Sequence, residues 1–145
     1  MPSQLIEIGK EAFSGCTSLK KIEIPAGVKK IKTSAFANCT KLNTISLSGK
    51  VQTIGKQAFS GCAKLTSLTL GKNVKTIGSK AFYGCKNLKK ITIQTSKLTA
   101  KAIGKAFAGV SKNAKVYLPK KKAKAYKKLL KSKGLSAKVK YQNIK

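Results

Sequence analysis

The chain has 145 residues, 41% of them hydrophobic, enough for one domain with a real core. Its 32 basic residues are all lysine and face only Glu7, Glu11 and Glu23, a net charge of +29, and Asp, His, Trp and Arg are absent. General acid-base pairs, nucleophile-base pairs and first-row metal sites draw on His, Asp and Glu, so the composition points away from an enzyme, a metal site or a cofactor.

Nothing marks one lysine out among the 32 for Schiff-base chemistry. No run approaches the roughly 18 apolar residues of a membrane span. The Met1-Pro2-Ser3 start lacks the apolar segment of a signal peptide, so the chain as it stands reads as soluble.

The sequence enters almost directly at Leu5 and Ile8, in mid-repeat and without a polar cap. An open end of this kind exposes apolar residues and unpaired strand edges. It favours self-association through the N-terminal coil, and the chain reads as a fragment of a longer protein.

The repeat then runs through the chain. Phe13, Phe36, Phe59 and Phe82 are 23 residues apart and Phe107 follows after 25; Cys16, Cys39, Cys62 and Cys85 keep the same step, with Val110 in the fifth slot. After each cysteine comes an apolar set, Leu19, Ile22, Ile24, then Leu42, Ile45, Leu47, then Leu65, Leu68, Leu70, then Leu88, Ile91, Ile93. The last two members of each set alternate as a half-buried strand requires. A second apolar pair follows, as in Val28 and Ile31, before a helical turn around the Ala-Phe pair.

A unit of this size cannot bury its apolar face alone, so the units stack with their strands about 4.8 Å apart in a parallel ladder. Gly15, Asn38, Gly61, Gly84 and Gly109 share one slot two residues after each Phe. Asn is the non-Gly residue that best tolerates a left-handed backbone, so this slot is predicted to end the turn with positive φ.

The unit Ile-Gly-x-x-Ala-Phe-x-Gly-Cys-x-x-Leu-x-x-Ile-x-Ile-Pro-x-x-Val closely resembles the BspA-like, or treponemal-type, leucine-rich repeats over residues 5 to 118. The resemblance implies an α/β repeat solenoid, a right-handed leucine-rich-repeat coil with a parallel strand ladder, short helical turns and a C-terminal helix-strand cap. It also implies a secreted or cell-surface bacterial protein that serves adhesion and protein binding. Residues 1–118 would form five stacked repeats of about 23 residues, and 119–145 the lysine-rich cap.

Departures from the unit fall at Lys32, in place of glycine, and in the fifth unit, which has two extra residues and Asn113 where leucine is expected. A bulge or wider loop is predicted near Ser96 to Lys101, with Val116, Leu118 and Pro119 restoring the pattern. Beyond it Ala123, Tyr126, Leu129 and Leu130 fall at helical spacing, Pro119 suits the helix start and Gly134 its end. Ala137, Val139 and Tyr141 then alternate as a last strand. An ordered apolar stripe is wasted on a polybasic arm, which favours a cap over an arm for membrane or nucleic acid.

The cysteines invite disulfide or metal readings, but a slot that accepts Val110 is a packing slot, and metal-ligand spacings are missing. Phe13, Phe36, Phe59, Phe82 and Phe107, with Cys16, Cys39, Cys62 and Cys85, are therefore assigned to structure. Asn38-Cys39-Thr40 matches a glycosylation sequon by accident of the backbone slot, and Gly49, Gly55, Lys56 and Gln57 do not form a phosphate loop.

Function in such a solenoid belongs on the outward strand positions. One column reads Lys21, Thr44, Ser67, Lys90, Lys115 and the other Glu23, Ser46, Thr69, Thr92, Tyr117, with a hydroxyl-rich, almost uncharged middle. Thr and Ser are ordinary exposed strand residues, and they also suit a flat hydrogen-bonding face for a protein or glycan. The second reading is electrostatic: Lys120, Lys121, Lys122, Lys124, Lys127, Lys128 and Lys131 would hold polyanions such as cell-wall phosphates, acidic glycans or nucleic acid. Lysine without arginine argues against specific reading of nucleic-acid bases.

Overall fold

The computed structural model describes residues 4–47 and 49–145, so the Met1-Pro2-Ser3 start lies outside the described residues. Two parallel ladders run along a stack of coils. The short one orders β1 (Glu7–Ile8), β2 (Lys30–Ile31), β4 (Thr53–Ile54) and β6 (Thr76–Ile77). The main one orders β3 (Thr44–Leu47), β5 (Ser67–Leu70), β7 (Lys90–Ile93), β8 (Lys115–Leu118) and β9 (Lys140–Asn143).

Alternation decides which side chains enter the core. Along β3, Ile45 and Leu47 are buried while Thr44 and Ser46 are exposed, and β5, β7 and β8 repeat the rule. Register follows the repeat: Ile45 pairs with Leu68, Leu68 with Ile91 and Ile91 with Val116. The two extra residues of the fifth unit are absorbed in a wider loop at 94–99, where buried Thr95 donates through its hydroxyl to the Val74 carbonyl at 2.6 Å.

The first coil departs from expectation. Its predicted strand around Ile22 and Ile24 touches the main ladder only by a bridge from Lys21 to Thr44, and both isoleucines are half-buried. Among the described residues this segment has a neighbour on one side only, which removes half of the pairing that later strands have. The fifth unit also differs, since Ala114 is buried in the leucine slot and Asn113 is exposed. A turn closed by the Ala114 N–H to the Ser111 carbonyl at 3.2 Å, one residue later than the Leu88-to-Cys85 turn of the fourth unit, brings Ala114 inward, while Val116 and Leu118 keep their expected places.

The Ala-Phe segments are turns of chain that do not continue as regular helix. The N–H groups of Glu11, Phe13 and Gly15 donate to Thr33, Ala35 and Ala37 of the next coil at 2.7 to 3.0 Å, while those of Ala12, Ser14 and Cys16 close turns within their own coil. Alternate donors thus leave the coil sideways, and positive φ recurs at every fourth residue of the turn. Gly15, Asn38, Gly61, Gly84 and Gly109 supply it as expected, with φ between 59° and 77°. Glu11, Ser34, Gln57 and Lys80 supply it too, at 54° to 57°, a slot that side-chain type does not reveal. Each costs about 1–2 kcal/mol for an L-residue, offset here by an inter-coil hydrogen bond.

Inside, each side chain stacks on its own copy. The five Phe rings form one column with centroids 5.1 to 5.5 Å apart and planes within 15°. Each such pair adds about 0.5–1.5 kcal/mol beyond its buried area. The cysteines are free thiols, and the Sγ of Cys39, Cys62 and Cys85 donates to the carbonyl of Phe13, Phe36 and Phe59 respectively, at 3.1 to 3.3 Å. Val110 is buried in the fifth slot.

Backbones meet most closely at one glycine slot. A Cβ on Gly55, Gly78 or Gly104 would stand 2.4 to 2.6 Å from backbone atoms of the preceding coil. Lys32 occupies the same slot one coil earlier and sends its Nζ to Glu7 at 2.7 Å. Gly78→Ala is therefore expected to lose about 1–3 kcal/mol, read as a lower urea midpoint with unchanged slope.

Thiol burial carries a pH signature. Desolvation pushes the Cys62 thiol far up and the Cys85 thiol to about 12, from an ordinary 9.0. The unfolded chain then releases these protons first, so the stability they contribute is complete below pH 9.0 and is lost as pH rises toward 12. Replacing both by valine should make the alkaline fall of the urea midpoint shallower than in the wild type. Every other ionisable group is the same in both proteins, so the difference between the two curves belongs to the thiols.

Candidate functional site

The outward columns are continuous on the strand face. Lys21 meets Thr44, Thr44 pairs with Ser67, Ser67 with Lys90 and Lys90 with Lys115; beside them Ser46 pairs with Thr69, Thr69 with Thr92 and Thr92 with Tyr117. Glu23 lies on the first-coil segment beside them. Strand β9 adds a further rung, Lys140 beside Lys115 and Gln142 beside Tyr117, which the sequence reading missed. The 25-residue step from Lys115 to Lys140 repeats that from Lys90 to Lys115 and was the available signal.

Two hollows shape this face. One of about 450 Å³ is lined by Lys21, Glu23, Thr44, Ser46, Ser67 and Thr69, where the first-coil segment leaves the ladder. The other, about 280 Å³, lies at the opposite end among Lys90, Thr92, Tyr117 and Gln142. There Lys90 Nζ stands 5.5 Å from the centroid of the Tyr117 ring, a cation-π contact that holds the aromatic edge in place.

The predicted lysine patch is partly one place. Lys120, Lys124, Lys127, Lys128 and Lys131 line a groove of about 650 Å³ with Ala123 and Asn143. Lys121 lies outside it, and Lys122 lines a more apolar groove with Leu98, Tyr126 and Leu129. These lysines project from a short 3-10 turn (Lys120–Lys122) and α1 (Ala123–Ser132), which begins after Pro119 and ends before Gly134 at φ 97°. Tyr126 and Leu130 are buried against the last coil, so the helix caps the core and turns its lysines outward.

The cap is fastened by a specific contact. The buried Leu98 N–H donates to the Tyr126 hydroxyl at 3.1 Å, tying the wide loop of the fifth unit to α1. Val139 is buried and Tyr141 half-buried in the last segment, while Ala137 is exposed and lies before the strand. Lys127 Nζ sits 5.8 Å from the Tyr141 ring centroid.

Chemically the described residues offer hydroxyls, lysine amines and, at Cys39, Cys62 and Cys85, thiols whose burial disfavours the thiolate. No group of three or more His, Cys, Asp or Glu among them could hold a metal ion, and no described helix is long and apolar enough to cross a membrane.

Residues 1–113 match the family described as BspA type leucine rich repeat region, in six copies. The chain belongs to that family. Among solved structures, a leucine-rich repeat protein of Treponema pallidum is 26% identical, with a TM-score of 0.62 over 89% of this chain and 81% of that one. A leucine-rich repeat protein from Bacteroides ovatus is 29% identical, with a TM-score of 0.63 over 100% of this chain and 41% of that one. No curated protein sequence matches significantly. BspA-type repeats are stacked scaffolds, and here a five-stranded parallel ladder carries the outward columns.

Tyr126→Phe keeps the ring and removes the acceptor for a buried N–H. A loss of about 1–3 kcal/mol is expected, with faster hydrogen exchange at the Leu98 amide than in the wild type.

Proposed function

We propose that this chain is a non-enzymatic binding and adhesion scaffold of a secreted or cell-surface bacterial protein, presenting the outward face of its strand ladder to a protein or glycan. One observation carries the reading: Thr44, Ser46, Ser67 and Thr69 stand in register and line a hollow of about 450 Å³, and Thr92 continues their column. These hydroxyls both donate and accept, and the strands hold them at fixed spacing, so little ordering entropy is lost on contact. The charged residues of the hollow, Lys21 and Glu23, are one of each sign in a chain of net charge +29, which suits recognition by hydrogen bonds and shape.

The lysine groove along α1 favours a second reading, electrostatic attachment to polyanions such as cell-wall phosphates or acidic glycans. Without arginine it would hold phosphate or sulfate as point charges and would not read bases.

A glycan and protein array probed at about 50 and 200 mM salt separates the two, because polyanion binding falls steeply over that range. The face reading expects salt-resistant hits that a Ser67→Lys, Thr69→Lys variant loses and a variant with glutamine at the five groove lysines keeps. Hits lost with salt and with the groove lysines would instead establish the polyanion reading.

A further inference from the structure

We propose that the strand face between β7 and β9 is a binding site for an acidic polysaccharide, held by Lys90, Lys115 and Lys140 with Tyr117 beside them. The site rests on the reading of that face as the binding surface and gives its second half a ligand class of its own, apart from the lysine groove of α1.

Register makes the site. Lys90 pairs with Lys115 and Lys115 with Lys140, so one outward column carries an exposed lysine on three successive rungs. Strand spacing puts these rungs about 4.8 Å apart, inside the Debye length of about 8 Å at physiological salt. Like charges directly opposite one another weaken a strand pair. The ladder forms without them, since the same column holds Thr44 on β3 and Ser67 on β5. No Asp or Glu follows Glu23 in the sequence, and the ion pairs among the described residues, Lys10 with Glu11 and Lys32 with Glu7, lie in the first two coils. The three lysines thus repel with no acidic side chain of this chain beside them, and an anionic polymer laid along the column relieves all three together.

The neighbouring column says what kind of anion. Thr92, Tyr117 and Gln142 stand in register beside the lysines. Tyr117 is the one aromatic residue of the outward columns, and Lys90 Nζ is 5.5 Å from its ring centroid. Lys90, Thr92, Tyr117 and Gln142 line the hollow of about 280 Å³, so an aromatic ring, a positive charge, a hydroxyl and an amide meet in one place. A sugar acid uses all four: its apolar CH face lies against the tyrosine ring, its hydroxyls pair with Thr92 and Gln142, and its carboxylate or sulfate meets the lysine. A polymer of such sugars carries an anion on each ring and continues from rung to rung. Nucleic acid suits the face poorly, because single strands bind on successive aromatic platforms and arginine, and the face has one aromatic and the chain no arginine.

The face runs along the side of the stack. Coils added beyond either end would lengthen it and leave it open.

Calorimetry of the full chain with polygalacturonate and dextran sulfate, the carboxylated and sulfated probes, tests the site against neutral dextran and inorganic polyphosphate. One or both acidic glycans should bind at about 50 mM salt and weaken roughly tenfold by about 200 mM, as about three released counterions require. Glutamine at Lys90, Lys115 and Lys140 together should cost roughly tenfold or more, with unchanged circular dichroism; should that variant fail to fold, Lys115→Gln alone decides. Tyr117→Leu should weaken the glycan and not polyphosphate, whereas glutamine at the five groove lysines should leave glycan binding nearly unchanged. The Ser67→Lys, Thr69→Lys variant should retain it, so loss of the hydroxyl-face hits and loss of this site are separate results. No binding of either acidic glycan, equal affinity for polyphosphate, dependence on the groove lysines, or indifference to the column or to Tyr117→Leu would each overturn the proposal. Array hits that still need Ser67 and Thr69 would then leave the hydroxyl face standing without it.

Discussion

The structure depends on backbone hydrogen bonds that pass from coil to coil on every side of the stack. In the strands they are ordinary parallel ladders. In the Ala-Phe turns they require every second N–H to point out of its own coil, as those of Glu11, Phe13 and Gly15 do. This spacing is set by the backbone and leaves the side chains little freedom. It brings Phe rings to 5.1–5.5 Å and the thiols of Cys39, Cys62 and Cys85 to within 3.3 Å of the Phe carbonyl of the preceding coil. It also brings backbones so near at Gly55, Gly78 and Gly104 that no Cβ fits.

Residues stacked on copies of themselves must be alike, which explains where variation is tolerated. The Phe slot is filled by Phe in all five turns, because a smaller residue would leave a void bounded by two rings. The Cys slot accepts Val110 because valine has similar volume and the Sγ–H contact is weak. Lys32 is accepted in the glycine slot between the first two coils, where its side chain reaches Glu7.

A stacked coil separates the tasks of its residues more cleanly than a globular core. The interior is apolar, and among the described residues Thr95 is its only buried polar residue. The lysines therefore stay in water, where their mutual repulsion is screened. The hydroxyl columns are held by the same ladder that closes the core, so any ligand of that face meets a rigid array. The lysine groove is held differently, by Tyr126 and Leu130 anchoring α1 from below.

Much of this was legible in the residues. The period of Phe and Cys, the alternation in each strand and the pair Pro119 and Gly134 placed the coils, the core and the capping helix. The outward columns followed as well, since a period of two leaves a side chain only two directions. Other features depended on neighbours in space. Positive φ at Glu11, Ser34, Gln57 and Lys80 comes from donors committed to the next coil. Ala114 replaced Asn113 in the core because a turn advanced the chain by one residue, and β9 joined the ladder with Lys140 and Gln142. The sequence by itself determined which side chains face inward, because that is a local property of a repeated pattern. Only the tertiary structure decided what pairs at the two ends of the stack, because an end has a neighbour on one side alone and the repeat cannot specify the other.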